Sequence, residues 1–219
     1  MGIAENLQRI RAELPSHVTL VAVSKTRPAA EVREALAAGQ LAFGENYAQE
    51  LRDKADEVGA GPEWHFIGSL QRNKVKYVVG RARLVHDVDS LALAEEIGKR
   101  SGATPTGILL GVNMGEAQKS GVPAGQVLDL AEAVVRVPGV ELRGLMTIPP
   151  PTEDPEGAAP YFAELAALAA RGRAAGLPLH ELSMGMSHDW QVAVRHGATL
   201  VRVGSAIFGA RAPKAPPTT

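Results

Sequence analysis

The residue best placed for covalent chemistry is Lys25, which follows an almost continuous apolar run at 18–23. The run predicts a buried strand, so the amine of Lys25 would enter a partly desolvated environment at the strand end. Burial and nearby cations lower the pKa of a lysine, and a neutral amine attacks an aldehyde to form a Schiff base. The alternative is a lysine that extends its charged end into solvent. Spacing alone leaves both interpretations open.

Two short segments near the end of the chain could bind an anion. One reads Ser-Met-Gly-Met-Ser from Ser183, and the other is Gly204-Ser205. Glycines let a backbone approach a ligand closely, and serine hydroxyls with backbone N–H groups can surround a phosphate. Gly-Ser is also ordinary turn chemistry, so the position of these segments in the fold decides their meaning.

Arg202 is a charged residue inside an apolar run, two positions before Gly204. Side chains alternate along a strand, so Arg202 and Gly204 are predicted to share one face. A buried arginine needs a partner. That partner is either an acidic residue inside the fold, Glu45 or Glu141, or a bound ligand.

The composition excludes several classes of function. The chain of 219 residues has no cysteine, so disulfides, thiolate nucleophiles and cysteine-bound metals are absent. Its six histidines show no metal-ligand spacing, and its net charge of -1 gives no field for nucleic acid or an anionic membrane. No signal peptide and no transmembrane stretch are recognisable. We therefore expect a cytoplasmic protein with no metal, nucleic-acid or membrane partner.

The elements that would position these residues alternate between short apolar runs and longer helical patterns. The first helix is predicted before any strand, and others over 28–38, 48–58 and 160–175. Eight strands are predicted, at 18–23, 41–44, 64–67, 84–88, 107–112, 140–148, 179–184 and 199–203. Eight such units favour a single-domain (β/α)8 TIM barrel with an extra N-terminal helix. The alternative, an open Rossmann-like sheet, lacks its G-x-G-x-x-G after the first strand.

The predicted barrel occupies residues 1–211, and a Pro-rich tail at 212–219 is predicted to be disordered. Active sites of such barrels lie at the C-terminal ends of the strands, with phosphate often bound after strands seven and eight. By this rule, the residues at and just after the strand ends should form one ring around the barrel mouth. Its predicted members are Lys25, Glu45, Asn46, Gly68, Ser69, Asn113, Met146, Thr147, Ser183, Met184, Gly185, Arg202, Gly204 and Ser205.

Seven motifs in the same order resemble the pyridoxal phosphate homeostasis protein family, also described as proline synthetase co-transcribed homologues. They are VAVSKT, FGENYAQE, WHFIGSLQRNK, KSG, RGLMTIP, LSMGMS and VRVGSAIFGAR, and the resemblance as a whole runs from roughly Val18 to Arg211. The family is similar to the N-terminal barrel of alanine racemase without its second domain. Two departures are visible: Ser205 stands where many relatives have threonine, and His188 where an acidic residue is common.

The resemblance implies pyridoxal 5'-phosphate (PLP) as the cofactor. It implies seven cofactor-binding residues: Lys25, Asn46, Met146, Ser183, Arg202, Gly204 and Ser205. Lys25 would form the Schiff base with PLP, and Arg202 would face the pyridine nitrogen. Ser183, Gly204 and Ser205 would hold the phosphate, with Asn46 and Met146 beside the ring. Lys119, in KSG, belongs to a family motif without an assigned role here.

An arginine opposite the pyridine nitrogen indicates a carrier rather than a catalyst, because arginine does not donate its proton to the ring. We therefore predict a non-catalytic, monomeric protein that binds PLP and supplies it to apo PLP-dependent enzymes. A PLP-dependent racemase or related enzyme of narrow specificity is the first alternative. A Schiff-base aldolase without PLP is the second, and it would be colourless.

Overall fold

The computed structural model describes residues 2–115 and 120–210, and its centre is a closed barrel of parallel strands. The first strand pairs with the last, for example through Val21 and Arg202, which closes the sheet into a barrel of eight strands. These eight barrel strands are called staves. A ninth, two-residue strand pairs with the end of the fifth through Val112 and Val122. The strands are β1 (Thr19–Val23), β2 (Ala42–Glu45), β3 (Glu63–Phe66), β4 (Ala82–Val88), β5 (Thr106–Asn113), β6 (Val122–Pro123), β7 (Val140–Met146), β8 (Glu181–Met186) and β9 (Leu200–Val203).

Helices surround the barrel, and most of them connect one stave to the next. The first helix precedes the barrel strands and packs against the second and the last. Their bounds are α1 (Ile3–Glu13), α2 (Ala29–Ala37), α3 (Ala48–Val58), α4 (Val75–Val78), α5 (Leu91–Arg100), α6 (Val127–Val134), α7 (Ala159–Ala174), α8 (Trp190–Arg195) and α9 (Ser205–Phe208). Over the described ranges, no helix combines the length and apolar character that crossing a bilayer requires.

The predicted (β/α)8 barrel with an additional N-terminal helix is confirmed. Each predicted strand overlaps one stave, and α3 has the predicted bounds. The seventh stave begins at Glu181, two residues later than predicted, because the segment before it is an irregular connection. The end of the barrel at residue 211 and the tail at 212–219 lie outside the described residues.

The staves bury side chains on both faces. Outward residues pack against the helices, as Leu20 and Ala22 of β1 do. A separate cluster fills the barrel interior with one residue from each of six staves: Val21, Ala42, Leu84, Leu109, Met146 and Leu200. Burying a valine, leucine or methionine side chain stabilises the fold by roughly 1.5–3 kcal/mol. The interior layer fills the barrel just below its C-terminal end. It therefore forms the floor of an open mouth, and side chains from the strand ends can lie above it.

Candidate functional site at the barrel mouth

A cavity of about 450 Å³ opens between the C-terminal ends of the first and last staves. This volume lies in the usual range for small-molecule sites. Five of the seven predicted cofactor-binding residues line it: Lys25, Asn46, Arg202, Gly204 and Ser205. Apolar side chains complete the walls, among them Val23, Ile67 and Ile148. The barrel therefore brings together residues that are up to 180 positions apart in the sequence.

A second cavity of about 280 Å³ adjoins the first, and Asn46, Ile67 and Ile148 line both. Met146, only 3% exposed, forms part of its floor. Asp87 lines this cavity and accepts hydrogen bonds from the hydroxyls of Ser69 (3.0 Å) and Ser120 (2.9 Å). Burial raises the pKa of the Asp87 carboxyl, and the two serine hydrogen bonds oppose that rise.

Lys25 lies in a turn immediately after β1 and is half-buried against the cavity. Its neighbour Ser24 is buried, and the Ser24 N–H continues the sheet by donating to the carbonyl of Gly44 (3.0 Å). Thr26, on the other side, has a φ of +63° and is the one non-glycine residue of the described chain in the left-handed region. The backbone thus leaves the sheet abruptly at Lys25, which directs this residue to the mouth.

Arg202 is buried in β9, with 4% of its surface exposed. Its guanidinium donates from Nη1 to Ser183 Oγ (2.5 Å) and from Nη2 to the carbonyl of Thr147 (2.9 Å). Desolvation lowers the pKa of Arg202 to about 10, and the charges of Asp189 and Asp87 oppose this, so the side chain stays cationic at neutral pH. Its remaining N–H groups can serve a ligand, since guanidinium has five donors and the residue lines the cavity.

The suggested ion pair of Arg202 with Glu45 or Glu141 is wrong for the described residues. Glu45 bonds instead to Lys54 Nζ (2.7 Å) and to the Ser24 hydroxyl (2.6 Å). Glu141 is exposed at the start of β7. Strand alternation could show that Arg202 points inward, but it could not show which polar groups from other strands are within reach.

Ser183 is fully buried behind Arg202 and links it to two histidines. His86 Nδ1 lies 2.8 Å from Ser183 Oγ, and His86 Nε2 lies 2.8 Å from His65 Nδ1. Two neutral rings satisfy every contact, with the hydrogen bonds running either from Arg202 through Ser183 and His86 to His65, or from His65 and His86 toward Ser183. In both cases Arg202 and His86 engage Ser183 Oγ, and Ser183 does not line the cavity that the predicted phosphate would occupy.

The histidines are neutral because their surroundings do not support charge. Burial, together with the cations of Arg83 and Arg143, lowers the pKa of His65 to about 4. Burial likewise lowers the pKa of His86 well below its usual value, helped by His65 and Arg202. Two neutral histidines therefore extend the hydrogen bonds of Arg202 without placing a second positive charge beside its guanidinium.

The glycine and serines on the other side of the cavity form a small polar recess. The Gly204 N–H donates to Ser187 Oγ (3.1 Å), and Ser187, Gly204 and Ser205 all line the cavity. A side chain at position 204 would come within 3.3 Å of the Val23 carbonyl, so glycine permits this close approach of β1 and β9. Hydroxyl and N–H groups placed this way can receive an anion.

The predicted cofactor-binding residues did not include Ser187 or His188, which line the cavity. Ser187 was available as the second serine of Ser-Met-Gly-Met-Ser, but period-two alternation does not extend past the end of β8 at Met186. His188 was noted as a departure from the pattern of the family that the chain resembles. It lines the cavity, and its Nε2 lies 3.1 Å from the Glu153 carbonyl. Lys119 lies outside the described residues.

Comparison with known proteins places the chain in a family. It matches the family described as "Alanine racemase, N-terminal domain" over residues 2–212. It is also 44% identical to the pyridoxal phosphate homeostasis protein of Pseudomonas aeruginosa, with 95% of this chain and 96% of that protein aligned. The chain belongs to the pyridoxal phosphate homeostasis protein family, a single-barrel branch of the racemase-like fold.

Solved structures agree with this assignment. PipY of Synechococcus elongatus PCC7942, solved with PLP bound, has 39% identity and a TM-score of 0.88, covering 94% of this chain and all of that one. Alanine racemase from Corynebacterium glutamicum shares the barrel at 18% identity and a TM-score of 0.74, covering 98% of this chain and 62% of that one. The second likeness concerns the fold alone.

Proposed function

We propose that this chain binds PLP at the barrel mouth, holds it as a Schiff base on Lys25, and buffers or supplies it for other enzymes in the cytoplasm. The observation that carries the proposal is a single cavity lined by Lys25, Arg202 and the Gly204-Ser205 pair. An amine, a buried cation and an anion recess match the aldehyde, pyridine nitrogen and phosphate of one cofactor. The names of the curated relatives and the PLP in PipY support the same choice.

The residues of this chain fit PLP in a specific way. Lys25 would bind the aldehyde carbon covalently, and Arg202 would donate a hydrogen bond to the pyridine nitrogen. Ser187, Gly204 and Ser205 would surround the phosphate, with Ser183 acting through Arg202. Asn46 lines both cavities and would lie beside the ring, with Met146 at the floor of the adjoining cavity. When bound, PLP supplies an electron-accepting ring and an aldehyde that reacts with amines.

The surroundings of Arg202 favour a carrier over a catalyst. PLP enzymes that strengthen their electron sink protonate the ring nitrogen, and a guanidinium that remains charged does not transfer a proton to it. Tyrosine, the second base in racemases of this fold, is absent from the cavity lining formed by the described residues. Tyr47 is 56% exposed, and Tyr77 faces surface cations such as Arg52.

The first experiment is to purify the protein, record its visible spectrum with and without added PLP, reduce it with borohydride and map the labelled peptide. We expect a yellow protein with a pyridoxyl group on Lys25. Lys25→Ala should lose the label, whereas Lys99→Ala, at an exposed position of α5, should keep it. A protein that stays colourless with added PLP would reject the cofactor and favour the Schiff-base aldolase.

A second experiment separates carrier from enzyme. The PLP-loaded protein is incubated with amino acids in deuterated water, and exchange at Cα is followed by NMR. We expect exchange no faster than with free PLP, together with activation of an apo PLP-dependent enzyme when the two proteins are mixed. Rapid exchange of one amino acid would instead establish an enzyme of narrow specificity.

A further inference from the structure

A buried ionic network holds the backbone on both sides of Lys25. Lys54, on α3, is 6% exposed, and its Nζ has three acceptors. These are Glu45 Oε1 at 2.7 Å, the Ser24 carbonyl at 2.8 Å and Glu50 Oε1 at 2.9 Å. An ammonium has three N–H donors, so all of them are used. One of the three bonds goes directly to the peptide group that joins Ser24 to Lys25.

Glu50 holds the other side of the same turn. Its Oε1 accepts the N–H of Thr26 at 2.6 Å, so Lys54 and Glu50 together bind the residues before and after Lys25. Thr26 is a β-branched residue with a φ of +63°, a conformation that costs energy and persists only when its surroundings impose it. The hydrogen bond that the Thr26 N–H donates to Glu50 opposes relaxation of this residue.

The network does more than fill space inside the fold, because it also binds two backbone groups. Glu45 is fully buried at the end of β2, and burial raises the pKa of its carboxyl against the opposing effects of Lys54 and Ser24. Buried ion pairs often stabilise a fold no better than apolar side chains of similar volume. What an apolar replacement could not do is hold two polar backbone groups, the Ser24 carbonyl and the Thr26 N–H, in fixed positions.

We propose that Lys54 and Glu50 are positioning residues that fix the turn carrying Lys25, so that its amine meets the cofactor aldehyde in a reactive orientation. This inference rests on the proposed function. α3 connects β2 to β3 on the outside of the barrel, and neither Lys54 nor Glu50 belongs to the cavity lining of the described residues. Their effect would therefore appear in the rate of Schiff-base formation and leave non-covalent binding of the cofactor intact.

The test uses Glu50 because it is the most exposed of the three charged residues in the network. Its side chain is 23% exposed and Thr26 is exposed, so water can solvate the N–H that Glu50→Ala leaves without a carboxylate. Glu50→Gln retains an oxygen acceptor for Thr26 but not the charge that pairs with Lys54. Glu57→Ala, an exposed carboxylate on the same helix, is the matched control.

Two ligands separate positioning from general damage in the full-length protein. PLP reports imine formation through its absorbance in stopped-flow mixing, and pyridoxine 5'-phosphate, which has no aldehyde, reports non-covalent binding by calorimetry. We expect Glu50→Ala to slow imine formation at least about tenfold, because small misplacements of reacting groups are costly. Its affinity for pyridoxine 5'-phosphate should change less than about twofold, since Glu50 does not line the cavity. Glu50→Gln should slow the reaction less than Glu50→Ala, and Glu57→Ala should match the wild type.

Two results would overturn the inference. One is imine formation by Glu50→Ala at the wild-type rate. The other is a parallel fall in imine rate, pyridoxine 5'-phosphate affinity and melting temperature, which would show that the network only supports the fold. A wild-type protein that forms no imine would reject the proposed function itself, and the inference with it. If the wild type forms the imine and Glu50→Ala forms it at the same rate, the positioning role is rejected and the proposed function stands.

Discussion

Two serines four positions apart in one motif have different surroundings. Ser183 Oγ lies between Arg202 and His86 inside the barrel, whereas Ser187 Oγ accepts the Gly204 N–H and lines the cavity. The motif identified both as hydroxyls near the end of a strand. Only the three-dimensional positions of β4 and β9 show that one hydroxyl supports an arginine and the other faces the space for a ligand.

Replacing these serines by alanine should therefore give two distinct phenotypes. Ser187→Ala is expected to weaken binding of PLP about tenfold while leaving binding of pyridoxal, which has no phosphate, almost unchanged. Ser183→Ala should instead lower the free energy of unfolding by about 1–3 kcal/mol, because it deprives buried Arg202 and His86 of a partner. Calorimetric titration with both ligands and urea unfolding measure the two effects. Equal losses of PLP affinity in both variants would restore Ser183 as a phosphate contact.

At the scale of single residues, the sequence predicted side chains that follow strands better than it predicted their partners. Lys25, Asn46, Arg202, Gly204 and Ser205 line one cavity as the barrel rule implies. The contacts of Arg202 with Ser183 and Thr147 were beyond prediction, because they join strands that are far apart in the chain. Lys54 was also missed, since a lysine in a charged helix normally indicates a solvated face.

One glycine in the barrel strands leaves no room for a side chain. Gly144 of β7 pairs with Leu109 of β5 and Glu181 of β8, and a Cβ built at this position would lie 1.8 Å from the Glu181 carbonyl oxygen. That oxygen belongs to the backbone, so it can move only if β8 moves. The eight strands were predictable from their apolar runs and spacing, but this requirement depends on the register between neighbouring staves.

Gly144→Ala is consequently expected to destabilise the barrel strongly, by about 3 kcal/mol or more, although alanine is usually the better residue in regular structure. Gly125→Ala, where a Cβ would meet open space, should change stability by less than about 0.5 kcal/mol. Thermal and urea unfolding of both variants test this prediction. A Gly144→Ala protein as stable as the Gly125→Ala protein would show that β8 shifts freely against β7.

The stability of the whole barrel is expected to depend on pH, because the barrel buries several titratable side chains. The pKa of His65 is about 4 in the folded chain against 6.5 as its ordinary value, and that of His86 is also lowered. Between pH 4 and 6.5 the His65 side chain binds more protons in the unfolded chain than in the folded chain. Its stabilising contribution to the free energy of unfolding is therefore complete above pH 6.5 and is lost as the pH falls toward 4. Buried carboxyls with raised pKa, Glu45 and Asp87, act in the opposite direction.

The difference between wild type and a variant isolates the histidine effect. For wild type, His65 alone should lower the free energy of unfolding by about 2 kcal/mol between pH 8 and pH 5. His65→Gln should remove most of that dependence, whatever its stability at pH 8, whereas His17→Gln, at an exposed position after α1, should not. Urea unfolding at several pH values provides the slopes. Parallel curves for wild type and His65→Gln would mean that His65 is not neutral in the folded protein for the reason given.

The expected monomer remains a prediction at this scale. Light scattering coupled to size-exclusion chromatography should give a mass near 23.0 kDa both with and without PLP. A mass near twice that value, especially one that changes with PLP, would instead connect the mouth of the barrel to an interface between copies of the chain.

The hydrogen-bonded series from Arg202 through Ser183 and His86 to His65 has a practical consequence. Its far end, His65, is separated from the cavity by three other side chains, yet each member is hydrogen-bonded to the next. Nitrogen-15 NMR of histidine distinguishes tautomers and hydrogen-bond strength. The imidazole signals of His65 and His86 should therefore change when a ligand occupies the mouth, although neither histidine lines the cavity.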